Sequence, residues 1–286
     1  MSALIDLTDP TISGAVSPAA PAASGWYVSA PTVTFTCGDP LSLLASCLAD
    51  GESTNSKTLG ESATAQSVSG TATDNAGNDK SATVSGLKVD LSNPTNIEFV
   101  GGPAAGSSHY CGSVPAAPTC TADDAISRFK ECAVTGYSTT VGAHTMTATA
   151  TDNAGRTETA QRTYTVAAWT GSGYYSPVDM STATTRVWNT IKGGQTVPLK
   201  FEIFAGQTEL TSVDDVKSFQ TQLISCSTAA ATEDAIEIVS TGGTSLRYDG
   251  GQFIQNWKTP LTSNRCYTAT VTFDDGTSIT AYFKTK

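Results

Sequence analysis

The chain has 286 residues, with 16 Lys and Arg against 26 Asp and Glu, a formal net charge of −10 and only 15% charged residues. That balance argues against nucleic acid, whose binding needs clustered Lys and Arg to displace counterions, and against an electrostatic hold on an anionic membrane. No apolar run approaches the ~20 residues of a spanning helix, so neither a nucleic-acid partner nor membrane insertion is expected.

The N-terminal decapeptide ending at Pro10 has no basic start followed by an apolar run. It begins inside a segment that returns later: Ile5-Asp-Leu-Thr-Asp-Pro-Thr11 recurs as Val89-Asp-Leu-Ser-Asn-Pro-Thr95. The expectation is a fragment or a reassigned start, with a complete protein released without a signal as the alternative. In chain order, period-2 alternation marks strands at 32–36, 63–73, 82–89, 144–151 and 162–166, and helical periodicity is nearly absent. Between the late strands stand two near-identical octapeptides, Thr71-Ala-Thr-Asp-Asn-Ala-Gly-Asn78 and Thr149-Ala-Thr-Asp-Asn-Ala-Gly-Arg156, 78 residues apart. Each reads as a hairpin turn in which Asp74 or Asp152 accepts the turn amides and Gly77 or Gly155 supplies the positive φ. A calcium loop is the competing reading. It needs an acidic cluster around the turn, and the linear sequence offers none.

An exact repeat at this period means that the first half is one module written twice. Thr36-Cys37 likewise returns as Thr119-Cys120. The expected domains are 1–89 and 90–167, joined by short segments that Pro10 and Pro94 stiffen, and a third and unrelated unit at 168–286. The third unit carries strand candidates at 197–204, 219–226, 236–240, 252–257, 266–273 and 277–284, with Asp274-Asp-Gly276 as a hairpin turn. The fold class is therefore all-β: tandem antiparallel immunoglobulin-like sandwiches, expected end to end and spanning on the order of 100 Å.

Seven cysteines stand at 37, 47, 111, 120, 132, 226 and 266. None forms Cys-x-x-Cys, and His occurs only at 109 and 144, so zinc-site spacing is absent. Equivalent positions in the two repeats predict Cys37–Cys47 and Cys120–Cys132 disulfides, and Cys226–Cys266 completes the set. Disulfides place the chain outside the cell. Cys111 is left over in the position Val28 holds in the first repeat, and reads as a small buried hydrophobe in a strand rather than an intermolecular crosslink.

The search for chemistry finds no nucleophile elbow, no His-Glu-x-x-His and no phosphate loop. A serine triad would have to use His109 or His144, both explained by polar surface positions. Asp123-Asp124, Asp214-Asp215 and Asp274-Asp275 are adjacent acids in turns rather than carboxylates across a sugar-sized cleft. No catalytic residue, cofactor or metal is expected. Lys200 invites an isopeptide bond to Asn256, against the simpler reading of an outward lysine. Trp26, Tyr174, Tyr175, Trp188 and Trp257 are the candidates for stacking on a sugar ring, each with core packing as the competing role. Trp169, at the second junction, reads as packing between domains.

These residues carry a resemblance. The two repeats are similar to bacterial immunoglobulin-like repeats of large secreted proteins, marked by Ala-Thr-Asp-Asn-Ala-Gly-Asn and a Val-Asp-x-Thr-x-Pro-Thr linker. The third unit resembles the PxKF domain through Pro198-Leu-Lys-Phe201, Tyr175-Ser-Pro-Val-Asp-Met180, Lys192-Gly-Gly-Gln-Thr-Val197, Thr241-Gly-Gly-Thr-Ser-Leu-Arg-Tyr248 and Gly251-Gln-Phe-Ile-Gln-Asn-Trp257. The chain departs from the pattern at Cys111, where an aromatic residue is commoner. The resemblance implies a non-enzymatic module of long extracellular, mostly actinobacterial proteins: a stalk, spacer or adhesive tail in a larger polypeptide or assembly. Its partners would be cell-surface or extracellular protein or polysaccharide. A carbohydrate-binding accessory module of a secreted hydrolase and a phage virion or appendage subunit stand as the alternatives.

Overall fold

The computed structural model describes residues 5–237 and 245–286, which fall into two compact units. The first comprises the chain up to Gly102 together with Ala116–Gly136 and Met146–Arg162; the second comprises Pro103–Pro115, Tyr137–Thr145 and Thr163–Lys286.

In the first unit, the first repeat forms two three-stranded antiparallel sheets. One runs in the order β1 (Thr11–Ser17), β2 (Thr32–Gly38), β4 (Ser56–Thr58); the other β3 (Leu44–Ala49), β5 (Ser62–Asp74), β6 (Asp79–Val89). Strand alternation explains the packing: Val33 and Phe35 on β2 are fully buried while Thr34 and Thr36 face out. They meet Tyr27, Ala49, Leu59, Val68, Leu87 and Val89 in one core, each large apolar side chain contributing roughly 1.5–3 kcal/mol of transfer free energy. The Phe35 ring lies on Gly70, where a Cβ would come within 2.6 Å of it, so no larger residue fits there without displacing the ring. Cys37 on β2 is bonded to Cys47 on β3, which ties the two sheets together.

The second repeat carries β7 (Thr95–Val100), β8 (Ser108–Tyr110), β9 (Thr119–Asp123), β10 (Phe129–Thr135), β11 (Gly142–Asp152) and β12 (Thr157–Ala167). Within the first unit β7 pairs β9 from Thr95↔Asp123 to Val100↔Thr119, and β10 pairs β11 with Cys132 opposite Ala150. The Cys120–Cys132 disulfide joins β9 to β10, the same sheet-to-sheet tie as in the first repeat.

In the second unit β8 runs parallel to β12, Ser108 opposite Thr165. Cys111 follows β8 in a turn, half-buried and unbonded, which corrects the expectation of a strand position. The rest of this unit is a second all-β body, with β13 (Thr170–Gly173), β14 (Trp188–Ile191), β15 (Thr196–Ala205), β16 (Thr208–Leu210), β17 (Val216–Ile224), β18 (Ile236–Glu237), β19 (Arg247–Asp249), β20 (Gln252–Lys258), β21 (Cys266–Phe273) and β22 (Ser278–Thr285). One sheet has the order β13-β15-β20-β19 with β16 on β15, the other β14-β22-β21-β17-β18. Between them Phe201 stacks on Phe253 and Phe273 at ring-centroid distances of 5.2 and 5.9 Å. The Cys226–Cys266 disulfide closes a loop of sequence separation 40. Residues 238–240 of the strand expected at 236–240, and the Thr241-Gly-Gly-Thr part of its following motif, lie outside the described residues. Among the described residues a single 3-10 turn, Val213–Asp215, is helical, and no helix is long and apolar enough to cross a membrane.

Candidate metal centres

Asp74 ends β5 and Asp152 ends β11, so each opens its hairpin turn. Asp74 Oδ1 accepts the amides of Ala76 and Asn78 at 2.8 and 2.9 Å, and Asp152 Oδ1 those of Gly155 and Arg156 at the same distances. Gly77 and Gly155 hold φ of +94° and +92°, the region their lack of a Cβ opens. A second acidic residue initiates an equivalent loop in each repeat. Asp39 Oδ1 accepts from the amides of Leu41, Ser42 and Leu43, and Asp124 Oδ1 from those of Ile126, Ser127 and Arg128. A third acid comes from the linkers: Asp6 Oδ1 accepts from Thr8 N and Asp90 Oδ1 from Ser92 N.

The fold brings these together in two equivalent clusters. Asp6, Asp39 and Asp74 form one, Asp90, Asp124 and Asp152 the other, each with one carboxylate oxygen per residue within 4.8 Å of the others. The premise behind the expectation of no metal is thereby corrected: the acidic cluster that a calcium loop requires is present. It draws on three segments with no fixed spacing, which is why the linear sequence does not display it.

Turn amides occupy Oδ1 of each carboxylate, and Asp74 Oδ2 accepts from Asn78 Nδ2 at 2.8 Å. Asp90 and Asp152 are both fully buried, and among the described residues their Oδ2 atoms have no hydrogen-bond partner; Asp39 Oδ2 and Asp6 Oδ2 in the first cluster likewise find none there. A buried, unpaired carboxylate oxygen is costly, and the linker acid carries one in both repeats, Asp6 in the first and Asp90 in the second. Burial, with the Asp90 and Asp124 charges, pushes the Asp152 carboxyl above its ordinary range against the Arg156 and Gly155 hydrogen bonds. At Asp74 burial acts in the same direction, but the Asn78 side-chain and backbone hydrogen bonds outweigh it and hold the carboxyl low. A divalent cation would relieve both the repulsion and the unpaired oxygens. The donor set is all oxygen, which suits a hard cation and not zinc. Three converging carboxylates suit calcium, which takes six to eight oxygens at about 2.3–2.6 Å in flexible geometry.

The fold distributes the other candidates between core and surface. Tyr174 and Trp257 lie in the core, Tyr174 edge-on to Phe201 at 6.1 Å and Trp257 edge-on to Phe283 at 4.9 Å, so neither presents a ring to a ligand. Tyr175 is half-buried, its hydroxyl shared between Ser172 and Glu202. Trp26 is covered by the Lys88 ammonium at 5.7 Å, and Trp188 by the Arg186 guanidinium at 5.9 Å. Trp169 is buried in the second unit, its indole donating to Cys111 O and its amide to Asp275 Oδ2. The Ser107 hydroxyl donates to Ala104 O, so it meets His109 Nε2 as an acceptor, the reverse of an activated nucleophile. His144 Nε2 lies on Thr140 O. Lys200 pairs with Ile254 and Pro198 with Asn256, which sets Lys200 and Asn256 on one half-buried sheet face, one step apart. Asp215 closes the 3-10 capping box, and Asp275 binds Thr277 through Oδ1.

The fold is that of tandem immunoglobulin-like β-sandwich repeats. No protein-family model matches the chain, and no curated protein matches it. Among solved structures it is similar to the three N-terminal domains of the bacteriophage RB49 highly immunogenic outer capsid protein (11% identity, 97% of this chain and 98% of that one, TM-score 0.37). It is also similar to a tetra-tandem repeat in the extending region of a large adhesion protein (12% identity, 98% and 66%, TM-score 0.27). A third is a structure of Clostridium thermocellum CbhA fibronectin(III)-like modules (12% identity, 67% of this chain and 94% of that one, TM-score 0.24). Likeness this distant carries no functional weight.

Proposed function

We propose that the chain is a non-catalytic extracellular structural module, a stalk, spacer or adhesive tail, whose successive domains at 1–89, 90–167 and 168–286 are the two repeats and a PxKF-type sandwich. In this reading a calcium ion braces the junction between the repeats. The observation that carries it is the Asp90–Asp124–Asp152 cluster, because Asp90 belongs to the linker while Asp124 and Asp152 belong to the second repeat. An ion held by all three fixes the linker to the domain that follows.

The surrounding bonds support a braced junction. Glu61 of the first repeat accepts from Leu91 N and Ser92 Oγ, while Arg156 and Glu158 of the second hold Asn93. Asp90 N donates to Tyr27 O at 2.9 Å. A linker bonded on both sides transmits position rather than swinging freely. The three disulfides support an oxidising, extracellular setting.

Isothermal titration of the whole chain with calcium tests this reading. Two sites are expected with Kd of roughly 0.1–1 mM, the range of extracellular modules. Asp90→Asn and Asp152→Asn should each abolish one site and spare the other, since Asn keeps the Oδ1 acceptor that the turn requires. No heat of binding at millimolar calcium would end the braced-junction reading.

A further inference from the structure

The chain is acidic overall, yet its acids avoid one face of the second unit. Residues 180–201, 250–273 and 276–286 contain no Asp or Glu, and β14, β22 and β21 all lie within these stretches. The three strands are neighbours in one sheet, with β14 at its edge. Alternation sorts their side chains. Asn189, Phe283 and Ala269 are buried, so Trp188, Thr190, Tyr282, Lys284 and Thr268 take the opposite face, where each is half-buried or exposed. Trp188 stands opposite Tyr282 and Thr190 opposite Lys284, while Thr268 flanks Tyr282 on its other side. Lys286 N donates to Ile191 O at 2.9 Å, so the pairing runs past the end of β14 and carries the exposed Lys192 onto the same face. Arg186 joins from the segment before β14. Its guanidinium carbon lies 5.1 Å from the Tyr282 ring centroid and 5.9 Å from that of Trp188, and the two rings meet edge to face at 5.7 Å. The rings hold the planar group in place without engaging its N–H fork. Ion pairs among the described residues join Lys57 to Glu52, Lys80 to Asp9 and Lys130 to Glu131, and leave Arg186, Lys192 and Lys284 aside.

We infer that this strip binds an acidic polysaccharide, one whose sugars carry carboxylates. The inference rests on the adhesive form of the structural-module reading and names the chemistry of its partner. The cations follow one line of the sheet: Arg186 over the rings, Lys284 one rung on and Lys192 one rung further, at about 6.6–6.8 Å per rung. An extended polymer with charge repeated along it meets such a line, whereas a single small anion uses one rung. A carboxylate accepts two parallel N–H bonds from the Arg186 fork. Thr190 and Thr268 set hydroxyls beside the cations, the groups that exchange hydrogen bonds with sugar hydroxyls. At physiological ionic strength the Debye length is about 8 Å, so a single strand lying on the strip feels these cations and little of the acidic remainder. A duplex or a bilayer presents a broader charged surface to that remainder. Asp179, the acid that borders the strip, lies in the cleft between β14 and β15, and its amide donates to Asn189 Oδ1 at 2.8 Å.

Biolayer interferometry of the whole chain on immobilised polygalacturonate tests the strip, at about 0.15 M salt. Chelator is present throughout, so that calcium neither gels the polymer nor bridges it to the carboxylate clusters. Binding is expected to saturate and to vanish on the fully methyl-esterified polymer, which keeps the sugar backbone and loses the charges. Arg186→Ala should weaken it about tenfold, as loss of a charge-assisted hydrogen bond predicts, and the Lys192→Ala, Lys284→Ala double variant at least as much. Arg186→Lys keeps the charge without the fork and should recover only part of the loss. Lys80→Ala, which removes a charge from the first unit, should leave binding unchanged. All of these side chains are exposed, and calorimetry of each variant should return the parent's transitions. No binding to polygalacturonate, equal binding to its ester, or a loss in Lys80→Ala as large as in Arg186→Ala would overturn the strip. Full recovery in Arg186→Lys, or equal binding to duplex DNA or to phosphatidylglycerol vesicles, would overturn the carboxylate polysaccharide as its ligand. Since calcium is absent, each of these outcomes stands apart from the calcium titration that decides the braced junction.

Discussion

Cys111 shows how one residue reads differently alone and in place. Alignment on Val28 makes it a strand hydrophobe; the structure sets it in a turn beside Trp169, with its carbonyl accepting the indole. Burial, then the Asp275 and Asp274 carboxylates, pushes its thiol above the ordinary range. Only the thiolate alkylates, so iodoacetamide should react with Cys111 more slowly at pH 8 than with an unfolded cysteine, and the rate should keep climbing beyond the ordinary thiol midpoint near pH 8.5. The sign for stability follows. A raised folded-state pKa favours the protonated thiol, so its contribution is complete below the unfolded pKa and is lost as pH rises through the folded one. Cys111→Val should remove that alkaline loss. A reaction rate equal to that of a free cysteine peptide across this range would show the thiol to be unshielded.

At the scale of elements, the sequence is most legible where one strand's own pattern suffices. The candidate at 266–273 is β21, Cys266–Phe273, and the octapeptide turns form through the Asp and Gly that signal them. The cysteine pairs are legible because duplication shows which positions correspond. Side-chain direction outside regular strands is not: Tyr174 goes to the core and its neighbour Tyr175 to a half-buried polar network, with nothing in two adjacent tyrosines to separate them. The carboxylate clusters are less legible still, since Asp6, Asp39 and Asp74 converge only once two sheets have packed. The disulfides make a direct test of how thin each core is. Opening Cys37–Cys47 by a double Ala substitution should cost about 3 kcal/mol, and opening the longer Cys226–Cys266 loop about 4 kcal/mol, on loop-closure entropy. Urea unfolding of each variant measures both. A loss below ~0.5 kcal/mol for either pair would mean that its loop is already ordered in the unfolded chain.

For the whole molecule, the decisive variable is calcium. Both clusters belong to the first unit, whereas the second unit is held by its aromatic core and its own disulfide. Calcium should therefore act on one unfolding transition and leave the other where it is. At 10 mM calcium and a Kd of roughly 0.1–1 mM, binding to the native state stabilises by about 1.4–2.7 kcal/mol per site. For a unit of this size that raises Tm by roughly 3–10 °C per site. Chelator should return the transition to its starting point, and magnesium at equal concentration should do less, because it demands near-ideal octahedral geometry and dehydrates reluctantly. The Asp90→Asn, Asp152→Asn double variant should melt in chelator no earlier than the unmodified chain, since it sheds repulsion while keeping the turn acceptors, and should lose about half the calcium response. Scanning calorimetry reads all of these together. If the first transition is indifferent to calcium, the clusters are turn acids that hold no ion and the junction is braced by its hydrogen bonds alone. If both transitions move together, the ion acts through general charge screening rather than at the two clusters.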